Sequence, residues 1–144
     1  MDTPGFVLDP RLAADCVVIG DAPLCRWLLM DDAHYPWCIL VPRRVGVHEI
    51  FELDADDRVQ LMDESVALSR AMLSVCGGDK LNVAALGNVV AQLHVHHIVR
   101  RRTDAAWPAP VWGRATAQPY ADADRKSLLC ALRAALPDWA LSRV

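Results

Sequence analysis

No apolar run in the 144-residue chain exceeds a handful of residues, far short of the roughly 20 that a membrane-crossing helix needs. The opening residues, Met1-Asp2-Thr3-Pro4-Gly5, lack the basic and apolar stretches of a secretory leader. Charge of one sign is not in excess. Fifteen basic and 18 acidic side chains give a net charge of −3, too small an imbalance for a nucleic-acid or membrane-surface protein. Cysteine spacing is equally uninformative: Cys16, Cys25, Cys38, Cys76 and Cys130 form no CxxC pair, which argues against a disulfide framework and a zinc knuckle. Internal repeats and low-complexity tracts are missing too. The composition is 53% hydrophobic and 23% charged, enough apolar material for one buried core. The expectation is one cytoplasmic domain over residues 1–144.

Turn residues divide the chain. Asp9 followed by Pro10 reads as the capped start of a short helix. Three apolar runs follow, Cys16 to Ile19, Leu24 to Met30 and Trp37 to Val41, separated by Gly20-Asp21-Ala22-Pro23 and by Asp31 to Pro36. Runs of that length between such breakers predict antiparallel strands. A long helix is expected over about 54–76, with Asp54 as its cap, Asp56 and Asp57 in the first turn and Gly77-Gly78 as its stop. Val59, Met62, Val66, Met72 and Leu73 recur on it at helical spacing, with Asp63, Glu64 and Arg70 on the other side. Lys80 to Leu86 and Val89 to Arg100 read as strands joined by a tight Gly87-Asn88 turn. Pro108, Pro110, Gly113 and Pro119 make 101–120 irregular. A second helix closes the chain over about 122–136, ended by Pro137. Without βαβ alternation, the order predicts α+β with an antiparallel sheet of about five strands.

One segment concentrates chemistry. Gln92-Leu93-His94-Val95-His96-His97-Ile98 holds three of the five histidines. In a strand, Gln92, His94, His96 and Ile98 share a face at about 6.5 Å intervals, and His97 points to the other. An imidazole is largely neutral at pH 7. If one ring nitrogen of His94 is bonded to a backbone carbonyl, the other is free to attack phosphorus. His96 is then placed to bond a phosphate oxygen or the leaving group, and Gln92 to orient without titrating. Asn88 can offer its amide to a non-bridging oxygen, and Gly87 lets the backbone approach.

Residues 87–98 resemble the signature of the histidine-triad family of nucleotide hydrolases and transferases, in which histidines alternate with apolar residues after a polar or glycine-containing turn. The resemblance extends upstream to the hairpin ending Val41-Pro42-Arg43-Arg44 and to the long helix, and covers about residues 10–112. It places Gln92 at the family's first histidine, His94 at the middle one, His96 at the third, and Trp37 at an upstream histidine. What it implies is a histidine-triad meander with core motif 80–100. The implied chemistry is transfer or hydrolysis at the α-phosphate of a nucleotide, adenine by family habit, through a nucleotidyl-His94 intermediate, of phosphoramidase or dinucleotide-hydrolase type. No metal or other cofactor enters that step. Asn88 is implied at the α-phosphate, Asn82 near the ribose-phosphate, and Asp31, with Asp32 its rival, at the ribose hydroxyls. A homodimer is also implied, in which the Trp-Pro segment after the triad approaches the partner's site.

Two other readings compete. A non-catalytic nucleotide sensor accounts for glutamine and tryptophan where the family pattern has histidine. A zinc site from His94, His96 and His97 fits less well, because one strand presents only two of them on a face and Arg100, Arg101 and Arg102 add positive charge nearby.

Overall fold

The computed structural model describes residues 3–142. Its elements are α1 (Pro10–Asp15), β1 (Cys16–Asp21), β2 (Cys25–Met30), β3 (Trp37–Pro42), a 3-10 turn at Ile50–Glu52, α2 (Ala55–Cys76), β4 (Lys80–Ala84), β5 (Val95–Arg100) and α3 (Asp122–Ala134). The strands form one antiparallel sheet in the order β1-β2-β3-β5-β4. The fold is α+β, as the apolar runs and breakers predicted. Among the described residues no helix is long and apolar enough to cross a membrane.

Every residue of β3 and β5 is buried, because both faces of the sheet are covered. On one face Trp27, Leu29, Cys38, Leu40 and Val99 meet Leu61, Leu68 and Met72 of α2 and Leu132 of α3. On the other, Leu28, Ile39 and Ile98 meet Leu12 of α1, Val90, and Ala106 and Val111 of the irregular segment. Alternation along β5 therefore sends His96 to one layer and His97 to the other.

The first helix is capped as expected, the Asp9 carboxylate accepting from the Arg11 amide. Asp54 caps α2 by accepting from Asp57 N–H. At its other end Gly77 and Gly78 have φ of 66° and 129°. A Cβ on Gly78 would lie 2.4 Å from Cγ1 of Val99, so both backbone conformation and space require glycine there.

Two expectations are corrected. The β4–β5 connection is not a tight Gly87-Asn88 turn: β4 ends at Ala84 and β5 starts at Val95, leaving residues 85–94 as a ten-residue loop. Its apolar Val90 and Leu93 are drawn into the cores on opposite faces of the sheet, which anchors the loop without ladder pairing to β4. Of the five apolar positions whose spacing marked the buried face of α2, only Met72 is in the core. Leu61, Glu64, Leu68, Ala71 and Met72 are buried, whereas Val59, Met62, Val66 and Leu73 are exposed.

Candidate active site

The site lies where the 85–94 loop enters β5. His94 precedes the strand and His96 is its second residue, yet both face the same cavity, their ring centroids 4.8 Å apart and nearly perpendicular. The cavity has a volume of about 440 Å³. Arg11, Leu12 and Asp15 of α1, Met30, Trp37, the loop residues Leu86 to Val90 and Trp112 complete its walls. A larger hollow of about 700 Å³ on the other side of the loop shares only Leu86, Gly87 and His94 with it. The histidine pair belongs to the smaller one.

Hydrogen bonds fix both tautomers. Nδ1 of His94 lies 2.6 Å from the carbonyl oxygen of Gln92. A carbonyl only accepts, so Nδ1 carries the proton and Nε2 keeps its lone pair. The opposite holds at His96, whose Nδ1 accepts from the indole Nε1–H of Trp37 at 3.0 Å. An indole only donates, so the proton of His96 sits on Nε2. Burial first, then the neighbouring His94 and His97, push the His96 ring down to about 3. The site thus offers one nitrogen lone pair beside one neutral N–H donor.

Trp112 roofs the pair, its ring 5.0 Å from His96 and 5.8 Å from Trp37, edge-on to both. It is delivered within the same chain by a buried ion pair. Arg100 binds both Asp104 oxygens at 2.8 and 3.0 Å and lies against the rings of Tyr35 and Trp107. Asp104 also accepts from the amides of Arg101, Ala106 and Trp107, which folds the chain back over β5. Trp112 meets His96 of its own chain.

The other predicted residues separate into two groups. Gly87 and Asn88 line the cavity. Gln92 does not join the row of His94 and His96, because the backbone before β5 is not extended. Its amide accepts from Asp9 N–H and donates to the Val7 carbonyl, both at 2.9 Å. Only its main-chain oxygen serves His94. Asn82 is on β4 opposite Ile98, outside the cavity wall, with its side-chain oxygen accepting from Arg100 at 2.9 Å. Asp31 lines an adjoining hollow of about 410 Å³ that shares Asp15, Met30, Trp37 and Trp112 with the first. Its carboxylate accepts from Tyr120 N–H at 3.0 Å and meets Arg125 at 3.4 Å. Asp32 is buried and holds His34 and Gln118.

His97 faces α2 instead. Its Nδ1–H donates to the Val95 carbonyl at 3.1 Å and its Nε2 accepts from the Ser65 hydroxyl at 2.7 Å. Burial pushes its ring down to about 4. His97 lies on the opposite layer from His94 and His96, and among the described residues no group of three or more His, Cys, Asp or Glu side chains is placed to hold a metal ion. The sequence reading left Arg11, Asp15, Met30 and Trp112 out of the site. Their contribution depends on α1 and the 101–120 segment closing over the sheet, which no local pattern records.

A five-stranded antiparallel sheet with a histidine pair at the start of its fourth strand in space defines a protein of the histidine-triad class. The family model for the HIT domain matches residues 11–103. A histidine triad protein from Bradyrhizobium japonicum is 46% identical, with 93% of this chain and 100% of that one covered at a TM-score of 0.91. One from Marinobacter aquaeolei VT8 is 50% identical, with 94% and 98% covered at a TM-score of 0.90. No curated protein matches the chain. The chain belongs to the HIT domain family, whose members are generally nucleotide hydrolases and transferases.

Proposed function

We propose that this protein is a nucleotidyl hydrolase or transferase acting at the α-phosphate of a nucleotide, adenine being the family's expectation, through a covalent nucleotidyl-His94 intermediate. The observation that carries this reading is the 2.6 Å bond from Nδ1–H of His94 to the Gln92 carbonyl. It holds Nε2 as a lone pair on the cavity wall and stabilises the cation that forms when that nitrogen is phosphorylated. The N–H of His96 serves a phosphate oxygen, with Asn88 and the Gly87 backbone as further donors. Asp31, which lines the adjoining hollow, is the candidate for the ribose hydroxyls; its carboxylate keeps lone pairs for them beside the bonds from Tyr120 and Arg125. Asn82 acts at most through Arg100. Gln92 stands at the family's first histidine and contributes its carbonyl.

The family resemblance implies a homodimer. Exposed Val59, Met62, Val66 and Leu73 on α2 and the free edge of β4 support one. Five cysteines, all free and four of them wholly or partly buried, fit a reducing cytoplasm.

Rapid quenching with a dinucleotide or nucleotide phosphoramidate, followed by intact-mass measurement, should show one nucleotidyl adduct per chain. The His94→Ala variant should show none and should lose turnover by about 10⁴-fold or more, with the fold intact. A second reading, a nucleotide sensor without catalysis, is favoured by the Gln92 amide being spent on Val7 and Asp9. A nucleotide that binds and is still unconsumed after hours decides for it.

A further inference from the structure

Cleavage at phosphorus needs a nucleophile and a way for the leaving group to depart. A strongly basic leaving group, an amine or an alkoxide, needs a proton in the transition state, whereas the anion of a stronger acid does not. Around His94 the family pattern brings titrating rings from residues 92 and 96 and, upstream, from residue 37, which here is a tryptophan. Residue 92 is an amide, and its side chain is bound to Val7 and Asp9. Residue 96 is an imidazole whose Nδ1 is occupied by the Trp37 N–H at 3.0 Å. Its Nε2–H can donate a hydrogen bond, but giving that proton away would leave an imidazolate. To become an acid it must first be protonated at Nδ1, against the facing indole N–H and inside a buried site. Arg11 and Asp15 are the other charged side chains on the cavity wall, and an arginine does not release its proton.

We infer that this site lacks an acid for the leaving group, and that its substrates are nucleotides joined through the α-phosphate to a weakly basic one: mixed anhydrides with a carboxylic, sulfuric or phosphoric acid, in preference to phosphoramidates and alkyl esters. The inference rests on the nucleotidyl-His94 reading and narrows its substrate class. Nε2 of His94 forms a bond to phosphorus while the bond to the leaving oxygen breaks, both electrons departing with that oxygen as an anion. His94 keeps its proton on Nδ1, against the Gln92 carbonyl. Water then bonds to phosphorus, the N–P electrons return to Nε2, and the proton of the water passes to solvent. Throughout, His96 donates one hydrogen bond and transfers nothing. Trp37 is the positioning residue that keeps it so.

The test is kcat/KM of the full chain for four adenosine 5′-phosphoryl compounds: the acetyl mixed anhydride, the p-nitrophenyl ester, the phenyl ester and the phosphoramidate. The anhydride should be fastest, the nitrophenyl ester should exceed the phenyl ester by about 10²-fold or more, and the phosphoramidate should be slowest. A phosphoramidate cleaved as fast as the anhydride, with the His94 adduct observed, overturns the inference and leaves the nucleotidyl reading standing. No cleavage of any compound and no adduct overturns both. In Trp37→Phe the freed Nδ1 lets His96 take a second proton, so the gap between anhydride and phosphoramidate should narrow by about tenfold or more; an unchanged gap overturns the role given to Trp37. Asp15→Asn should leave the ratio among the four compounds as it was. If it slows the phosphoramidate selectively, Asp15 is the acid and the inference fails.

Discussion

The indole N–H of Trp27 donates to Oε1 of Glu64 at 2.9 Å, and neither side chain reaches solvent. The same carboxylate accepts from the amides of Leu24 and Cys25 at 2.9 and 3.0 Å and from the Gln60 side chain. It therefore ties α2 to the start of β2. Glu64→Ala strands three buried donors, each costing roughly 1 to 3 kcal/mol. The variant should be destabilised by about 3 kcal/mol or more and should melt about 10 °C lower in thermal denaturation followed by circular dichroism. A shift of only a degree or two would mean that these donors find water.

Glu64 also shows where sequence patterning stopped being informative. Hydrophobic spacing on α2 selected Val59, Met62, Val66, Met72 and Leu73 as the inner face and put Glu64 outside; the structure keeps Met72 inside, exposes the other four and buries Glu64. A carboxylate is buried only when distant backbone donors meet it, and nothing in residues 55–76 announces that Leu24 and Cys25 will do so. The antiparallel pairing of the first three strands, the caps at Asp9 and Asp54 and the glycine stop were legible because each rests on near neighbours. His94 and His96 were legible through their spacing, although the row that included Gln92 dissolves once the loop before β5 bends. Trp37 could be placed by its position in the hairpin; its bond to His96 follows from β3–β5 pairing 59 residues apart.

The exposed stripe on α2 predicts an assembly. Val59 and Met62 are each 63% exposed and Val66 41%, an apolar face that monomeric proteins seldom leave open. Light scattering after size exclusion should report a dimer. The double variant Met62→Glu, Val66→Glu should report a monomer that is folded by circular dichroism, since neither side chain belongs to the buried core. A wild-type monomer at high micromolar concentration would refute the dimer.

Stability should fall as the medium is acidified through the mildly acid range. Burial lowers His97 to about 4 and His96 to about 3, below the roughly 6.5 of a free imidazole. The unfolded chain therefore takes up protons that the folded one refuses. Stabilisation is complete above about pH 6.5 and is lost progressively as pH drops toward the folded values. For His97 the loss by pH 4 is on the order of 3 kcal/mol. Urea melts at pH 7, 5.5 and 4.5 should show this slope, and His97→Gln should flatten it by about one proton's worth. An equal slope in the variant would show that His97 does not stay neutral in the folded state.

At still lower pH the ion pair that folds the chain back toward Trp112 comes into play. The Arg100 hydrogen bonds, with further help from the amides of Arg101, Ala106 and Trp107, hold the Asp104 carboxyl well below the usual carboxylate range, against the opposing effect of burial. A depressed carboxyl stabilises the fold above its unfolded value of about 3.9 and loses that contribution as pH falls below it. Asp104→Asn should cost about 3 kcal/mol at pH 7, because it leaves the buried Arg100 charge without its partner. The cost should shrink as both proteins are taken below about pH 4. The same variant loosens the turn that carries Trp112, so KM should rise more than kcat falls. A variant whose stability deficit is the same at pH 3 and pH 7 would mean that the carboxylate charge is not what holds this segment over the histidines.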